Sequence, residues 1–493
     1  MLSVKSFAAL SWLLAVGQSV LAADVDWESI KNSRGDKLPD FSYCGYHSSD
    51  KSLPGSTAAS VVIKASSGDR TKEIQAALDS TAASGGGIVE LAAGTFRISP
   101  GLNISANTRL RGSGVESTTL DVTKLKTAGL PLLSMGNGTN GRINPSFTSK
   151  ITDKYVGIGA RAVTVEDGKQ FAKGQTVFVS RAATEKWVRQ NGMGDLVRDG
   201  EKQTWVPVGN LIQQPRTIQA VSGNKLTLDI PLTDALDQTY MEPYVAAYDL
   251  PETNLEIGIE DLSITLSPTC AGRVFNESEP CNAPAIQLNP WTVDSFVRNV
   301  NITGFNNCID VQYNVSRITI ENASFFRDRD TDRPGGYPTD INISGTQVLI
   351  KDSGQYGRKT AKAFTVITQA RAPGPNAVLR HHVQSDLQEL YPHQRWAHGF
   401  LVENTNANVM YVNRGTAGSG QGWPINAGVA WNVRGGVNVS SPPLGINWAI
   451  GSTGPVESVS NGTLVSNGTA VTPKSLFNAQ RQKRKGTATS AGN

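Results

Sequence analysis

The chain has 493 residues, enough for a large core and one to three domains, and 39% hydrophobic with 18% charged residues is a folding composition. A net charge of +4 is too small to argue for a nucleic-acid partner, although it tolerates an acidic one. Forty-nine glycines are many for a helical protein and suit turn-rich β structure.

Residues 1–22 read as a signal peptide: Lys5, the apolar stretch FAALSWLLAVGQSV, and a small-residue cleavage site after Ala22. No later stretch approaches the roughly 20 apolar residues of a membrane span, so the expectation is an exported protein with no membrane partner. Residues 23–55 are polar and aromatic and read as an arm laid on a body. In residues 56–116, Thr71 reads as an N-cap, and Ile74, Ala77 and Leu78 share one helical face. The Gly85-Gly86-Gly87 run stops that helix, and IVELAAGTFRI alternates as strand, turn and strand.

Residues 117–250 break the rhythm with hairpin-like segments and read as a β-rich insertion, with Trp187 and Trp205 packing it against the body. From 251 to 460, short β-branched or aromatic runs recur, each followed by Asn, Asp or Gly. Coils that cannot bury their own apolar faces must stack, so this is the pattern of a β solenoid. Residues 461–493 are polar and read as a flexible, glycosylated, basic tail.

Ten Asn-X-Ser/Thr sequons, at Asn103, Asn137, Asn276, Asn301, Asn314, Asn322, Asn342, Asn438, Asn461 and Asn467, fit a eukaryotic secretory route. Four cysteines allow three pairings. The short loop favours Cys270–Cys281, leaving Cys44–Cys308; the spacing fits no zinc pattern.

The opening GDRTKEIQAALD…GGGIVELAAGTFRI…TRLRGSG resembles the N-terminal cap of the pectate-lyase-like superfamily. The match is carried by Asp69, Thr71, Ile74, Ala77, Gly86, Gly87, Gly94, Phe96, Leu110 and Gly112, with Ala92 or Ala93 where that turn usually has Pro. The resemblance covers roughly residues 56–455 and implies an all-β fold, a single-stranded right-handed parallel β-helix with an N-terminal capping helix. The superfamily includes lyases, hydrolases and non-catalytic adhesins. The chain lacks the Asn-Thr-Asp, Gly-Asp-Asp and Gly-His-Gly of the polygalacturonase-like hydrolases. In GSGQGW, Gln421 stands where a His would be.

Four of the five histidines fall in RHHVQSDLQELYPHQRWAHG, residues 380–399. Strand parity puts Leu379, His381 and Val383 on the core face and Arg380, His382 and Gln384 outside. The following loop brings Tyr391, His393, Arg395, Trp396 and His398 together. Arg offers a fork to a carboxylate, Trp a face to a sugar ring, and His or Tyr a proton. One or two coils away, Arg327, Asp328, Arg329, Asp330, Asp332 and Arg333, and then Arg414, Gln421 and Trp423, are placed to line the same groove. Taken alone, the Arg/Asp run reads as a solvated, self-paired turn.

These residues favour a monomeric lyase that cleaves an acidic polysaccharide by β-elimination. Arg395 or Arg329 would neutralise the carboxylate, His382 or His393 would be the base, and Tyr391 the acid. Arg380, Gln384, Trp396, His398, Asp330, Arg414, Gln421 and Trp423 would bind sugar. A hydrolase using two of Asp328, Asp330, Asp332 and Asp386 stays open, as does an adhesive carbohydrate binder. The sequence demands no cofactor and leaves a calcium ion open.

Overall fold

The computed structural model describes residues 22–123, 125, 130–139, 144–272, 281–331, 337–385 and 389–486. Residues 1–21, which fall in the expected signal peptide, the sequon at Asn276, and Asp332, Arg333 and Asp386 lie outside the described residues.

The architecture is a right-handed parallel β-helix. Parallel strands form a 17-stranded and a 10-stranded sheet, with consecutive coils paired in register. In the smaller sheet, Ile286, Ile309, Ile341, Val366, Leu390, Val409 and Val437 stand one above another and point inward. Each coil thus buries its apolar side chains against the next, as a solenoid requires.

The larger sheet bends once per coil at a residue of positive φ. These corner residues are Asp261, Asn299, Asn322, Asp352, Arg380, Asn404 and Asn432, with φ between 48° and 59°. Asn and Asp tolerate this region better than most residues, which explains the recurring Asn and Asp of the sequence. Their side chains also bond along the stack: Asn299 Nδ2 donates to Asp261 Oδ1 at 2.8 Å, and Asn322 Nδ2 to Asn299 Oδ1 at 3.1 Å.

The capping helix spans Thr71–Ala83 and buries Ile74 and Leu78. Thr71 is its first residue rather than its cap; Asp69 Oδ1 accepts from the Thr71 N–H at 2.9 Å. Gly86, at φ 105°, follows where a Cβ would sit 2.3 Å from the Asn107 carbonyl, so only glycine fits.

The insertion is narrower than 117–250. Strands Thr118–Val122 and Leu133–Met135 still belong to the solenoid. The insertion proper is a six-stranded antiparallel sheet from Pro145–Lys150 to Tyr244–Tyr248, with a short helix at Glu185–Gln190. It has its own core around Val163, Val177, Val179, Ile218, Leu226 and Val245.

Two expectations are corrected. The region from Asn461 is not a free tail through residue 486. Val471 is buried, and the helix Leu476–Arg484 buries Leu476, Phe477 and Ala479 against the solenoid. The N-terminal arm lies beside this helix: Ala23–Asp24 pairs with Val471–Thr472, Gln480 bonds both Phe41 N–H and Pro39 O, and Arg484 sits over the Tyr43 ring at 4.5 Å. The polar composition that suggested flexibility is that of a helix with one narrow buried stripe. Cys270–Cys281 is a disulfide, but Cys44 and Cys308 are free and buried in different clusters, Cys44 under the arm and Cys308 inside the solenoid.

Candidate functional site

The outer face of the ten-stranded sheet carries a row of polar side chains. Gln287, Asp310 and Asn342 share one register, which the apolar Ile367 continues in the next coil. The Tyr391 N–H donates to Val366 O and the His393 N–H to Thr368 O, so the loop after Leu390 continues this face. Rings run along its edge: Tyr337 to Phe364 at 5.4 Å, and Phe364 to Tyr391 at 5.5 Å between centroids. The Arg414 guanidinium caps the series, 4.4 Å above the Tyr391 ring.

Four of the expected residues meet here. Arg414 Nη1 donates to His393 O at 2.6 Å, and the Gln421 amide lies 3.0 Å from His393 Nε2. Three buried polar atoms of this group have no partner among the described residues: His393 Nδ1, Arg414 Nε and Gln421 Oε1. Asn342 Oδ1, on the same face, is also unpartnered. Buried polar atoms are normally satisfied; Arg181 Nη1 and Nη2 and His398 Nε2 are unpartnered as well, but deep between solenoid and insertion, whereas this group lies on an outer sheet face.

The electrostatics suit proton transfer. Burial, followed by the positive charges of Arg414 and Arg395, pushes His393 down to about 4, so the imidazole is neutral near pH 7. Burial raises the Tyr391 phenol against the opposing pull of Arg414, so it stays protonated. Asp310 accepts from Asn342 Nδ2 at 2.9 Å and from Gln312, yet burial outweighs both and raises its carboxyl.

A second group forms a buried joint between solenoid and insertion. Trp396 is 1% exposed and donates to Asp234 Oδ1 at 2.9 Å; Arg181 Nε donates to Asp234 Oδ2 at 2.7 Å. Burial alone would raise Asp234; Arg181 and the surrounding donors outweigh it and hold the carboxyl below the usual range. His398 Nδ1 lies 2.8 Å from the Thr233 hydroxyl, and burial brings this histidine down to about 4 despite Asp234. Trp187 and Trp205 stack at 4.8 Å beside Trp396, and the Trp423 indole donates to Asn191 O at 3.0 Å.

Arg395 is spent on this joint. It donates to Trp205 O at 2.6 Å, to Gln394, and to Ser419 Oγ at 2.7 Å. Sugar binding by Trp396, His398 and Trp423, and carboxylate neutralisation by Arg395, are therefore corrected: these side chains fasten the insertion.

The remaining candidates lie elsewhere. Parity separates the adjacent histidines as expected: His381 is fully buried against the Thr365 hydroxyl at 2.6 Å and pushed down to about 3 by burial, whereas His382 is exposed. However, His382 projects from the larger sheet, 5.9 Å from the Tyr356 ring, and not from the face that carries Tyr391. Gln384 Oε1 accepts from the Gly357 N–H at 3.0 Å. Arg380 is a corner residue paired with Asp352 at 2.6 and 2.7 Å. Arg329 and Asp330 are exposed, and Asp330 accepts from Thr360 and faces Arg358 at 3.8 Å. None of these five joins the Tyr391 group. Among the described residues, no three His, Cys, Asp or Glu side chains converge on a place for a metal ion.

Sequence reasoning overlooked Asp310, Asn342, Phe364 and Tyr337. A signal was present: Ile-Asp-Val at 309–311 and Ile-Asn-Ile at 341–343 put one polar residue between two apolar ones, a coil apart.

No protein-family model and no curated protein sequence matches the chain. Among solved structures it is similar to the Streptococcus pneumoniae surface protein and adhesin PfbA, with 10% identity over 81% of this chain and 86% of that one, TM-score 0.41. It is also similar to a polygalacturonase from Erwinia carotovora ssp. carotovora, with 13% identity over 86% of this chain and 96% of that one, TM-score 0.38. A third is the tailspike of Pseudomonas phage phi297, with 12% identity, TM-score 0.33, and coverage of 80% of this chain and 66% of that one. The likeness is one of coil architecture, and nothing about the chemistry rests on it.

Proposed function

We propose that the protein is an exported enzyme that cleaves an acidic polysaccharide by β-elimination on the outer face of the ten-stranded sheet. One observation carries this reading: unpartnered atoms of His393, Arg414 and Gln421 converge beside a protonated Tyr391 at the end of a ring ladder.

The geometry supports the following roles. Arg414 faces the uronate carboxylate and lowers the cost of charge building up on it in the transition state. Neutral His393 takes the proton next to that carboxylate through Nδ1; the electron pair forms the ring double bond and the glycosidic C–O bond breaks. Tyr391 gives its proton to the leaving oxygen. Base action at Nδ1 requires Nε2 to carry the ring proton, hence the Gln421 amide oxygen, rather than its nitrogen, must face Nε2. Amide orientation is assigned from hydrogen bonding, so both arrangements share one set of heavy-atom positions.

Asp310 supports a second reading. A buried carboxyl of raised pKa on the same face has the character of a general acid for hydrolysis. The products separate the two. Incubation with a panel of acidic polysaccharides yields unsaturated uronate, seen by its ultraviolet absorbance, if elimination operates. New reducing ends without that absorbance, lost on Asp310→Asn, establish hydrolysis and overturn elimination. Retained binding with neither product leaves a carbohydrate-binding protein.

A further inference from the structure

The larger sheet has its own outer face, away from the Tyr391 group, and a charge row runs along it. Glu90, Arg111, Glu260, Arg298, Glu321 and Lys351 occupy one register in successive coils and alternate in sign throughout. The row neutralises itself: Arg111 pairs with Glu90 at 2.5 Å, Arg298 with Glu260 at 2.5 Å, and Lys351 with Glu321 at 2.5 Å.

The N-terminal arm and the helix Leu476–Arg484 rise on either side of this row and enclose a cavity of about 470 Å³. Its floor holds Arg298, Glu321, Lys351 and Arg380. Its walls bring two more cations, Lys51 from the arm and Arg481 from the helix. The floor charges are matched, Arg380 by Asp352. Lys51 and Arg481 have no carboxylate partner among the described residues. Arg481 donates its Nε to Ser49 O at 2.8 Å, which fixes the guanidinium in place. Five cations against Glu321, Glu260 and Asp352 leave two positive charges unmatched.

Two wall cations beside a matched floor make a focused positive potential in a walled space. The rest of the lining joins the polar groups of Ser52, Thr319 and Asn478 to the Tyr46 ring and the apolar side chains of Leu53, Leu349, Leu379 and Phe477. This is the chemistry of a hydroxyl-rich ligand carrying an oxyanion, and the volume is in the range of small-molecule sites. We infer that the cavity is a second, non-catalytic binding site for an acidic saccharide, with Lys51 and Arg481 holding a carboxylate. The choice of an acidic saccharide rests on the reading of the Tyr391 face; the cationic cavity itself does not. A second grip of this kind would hold a polymer to the enzyme between cleavage events.

The test is equilibrium binding of a short oligo-uronide to the full chain, followed by calorimetry, together with cleavage of the same oligomer. The wild-type chain should show two classes of site. Lys51→Ala with Arg481→Ala should weaken one class about tenfold per cation removed and leave oligomer cleavage unchanged. Lys51→Glu alone, at an exposed side chain, guards against loosening of the helix and should weaken the same class; Lys51→Arg should restore it. Arg414→Ala should abolish cleavage and the other class only.

The proposal is overturned if the double variant keeps both classes, or if the wild-type chain has a single class that Arg414→Ala removes. It is also overturned if the wild-type chain binds no oligo-uronide. If the chain cleaves nothing but keeps a class lost on Lys51→Glu, the reading of the Tyr391 face falls and the cavity assignment stands.

Discussion

Two regions of the molecule share one 20-residue stretch, residues 380–399, which gives Trp396 and His398 to one and Tyr391 and His393 to the other, and they differ in what surrounds these side chains. At the joint, Arg181, Asp234, Trp396 and His398 are buried, and the Asp234 carboxylate gathers donors from Arg181, Trp396 and Asn426. On the sheet face, Tyr391, His393 and Arg414 are half-buried beside the buried Gln421, and three polar atoms of this group have no partner among the described residues. A carboxylate at the centre makes the first region a fastening. No described carboxylate bonds to the second group, which keeps donors and a base that a substrate can complete. Composition alone does not separate them, and neither does a count of unpartnered atoms, because Arg181 Nη1 and Nη2 and His398 Nε2 are unpartnered at the joint as well; the buried, bonded carboxylate of Asp234 does.

The widest separation should come from Asp234→Ala. It leaves Arg181 buried without its counter-ion and should cost about 3–5 kcal/mol of stability, read as a drop in the denaturation midpoint. A midpoint unchanged by this substitution would remove the distinction altogether.

Next, the two histidines should exchange effects. His393→Ala should lower the cleavage rate by roughly 10²–10⁴-fold with little change in stability. His398→Ala should destabilise by about 1–3 kcal/mol and leave the rate per folded molecule unchanged. Rate and midpoint measured on both variants check this; the same pattern in both would break the comparison.

The pH response should be shared in stability and divided in rate. His381, His393 and His398 are depressed to about 3, about 4 and about 4. As the pH falls below about 6.5 the unfolded chain takes up these protons before the folded one does. Stability from the depressed histidines is thus complete above that pH and declines as the pH falls toward 3 to 4. The cleavage rate should hold until His393 itself protonates near 4, and His393→Ala should abolish that step while the decline in stability persists.

The smallest effect is expected at His382. It is exposed and contacts only the Tyr356 ring among the aromatic residues, so His382→Ala should change stability by no more than about 0.5 kcal/mol and leave cleavage intact. A large loss of activity would move the site to the larger sheet.

His382 also marks how far the sequence could be read. Alternation separates it from His381 correctly, because period two is a property of any strand. It does not say which outer face a strand presents, and a β-helix has more than one. That depends on where each coil turns, and Arg380 occupies a corner usually given to Asn or Asp. The capping helix and the stacked strands were legible because their signals are local and periodic. Trp396 was misread because its partners, Asp234 and Trp205, come from an insertion more than 150 residues earlier. Tyr391, His393, Arg414 and Gln421 were recognisable as types. Their assembly, and the diversion of Arg395 to Trp205 and Ser419, needed the third dimension.

The pairing of Ala23–Asp24 with Val471–Thr472, and the packing of arm against helix, bear on how the solenoid comes apart. A simple stack can fray coil by coil from its ends, since each repeat contacts only its neighbours. Here the C-terminal segment lies across interior coils and is held there by the N-terminal arm; Glu403, inside the stack, accepts from Ser475 Oγ and from the Phe477 N–H at 3.2 Å. Peeling the last coil therefore requires releasing the arm as well. The two ends act as one latch, and unfolding should be more all-or-none than repeat architecture alone would allow.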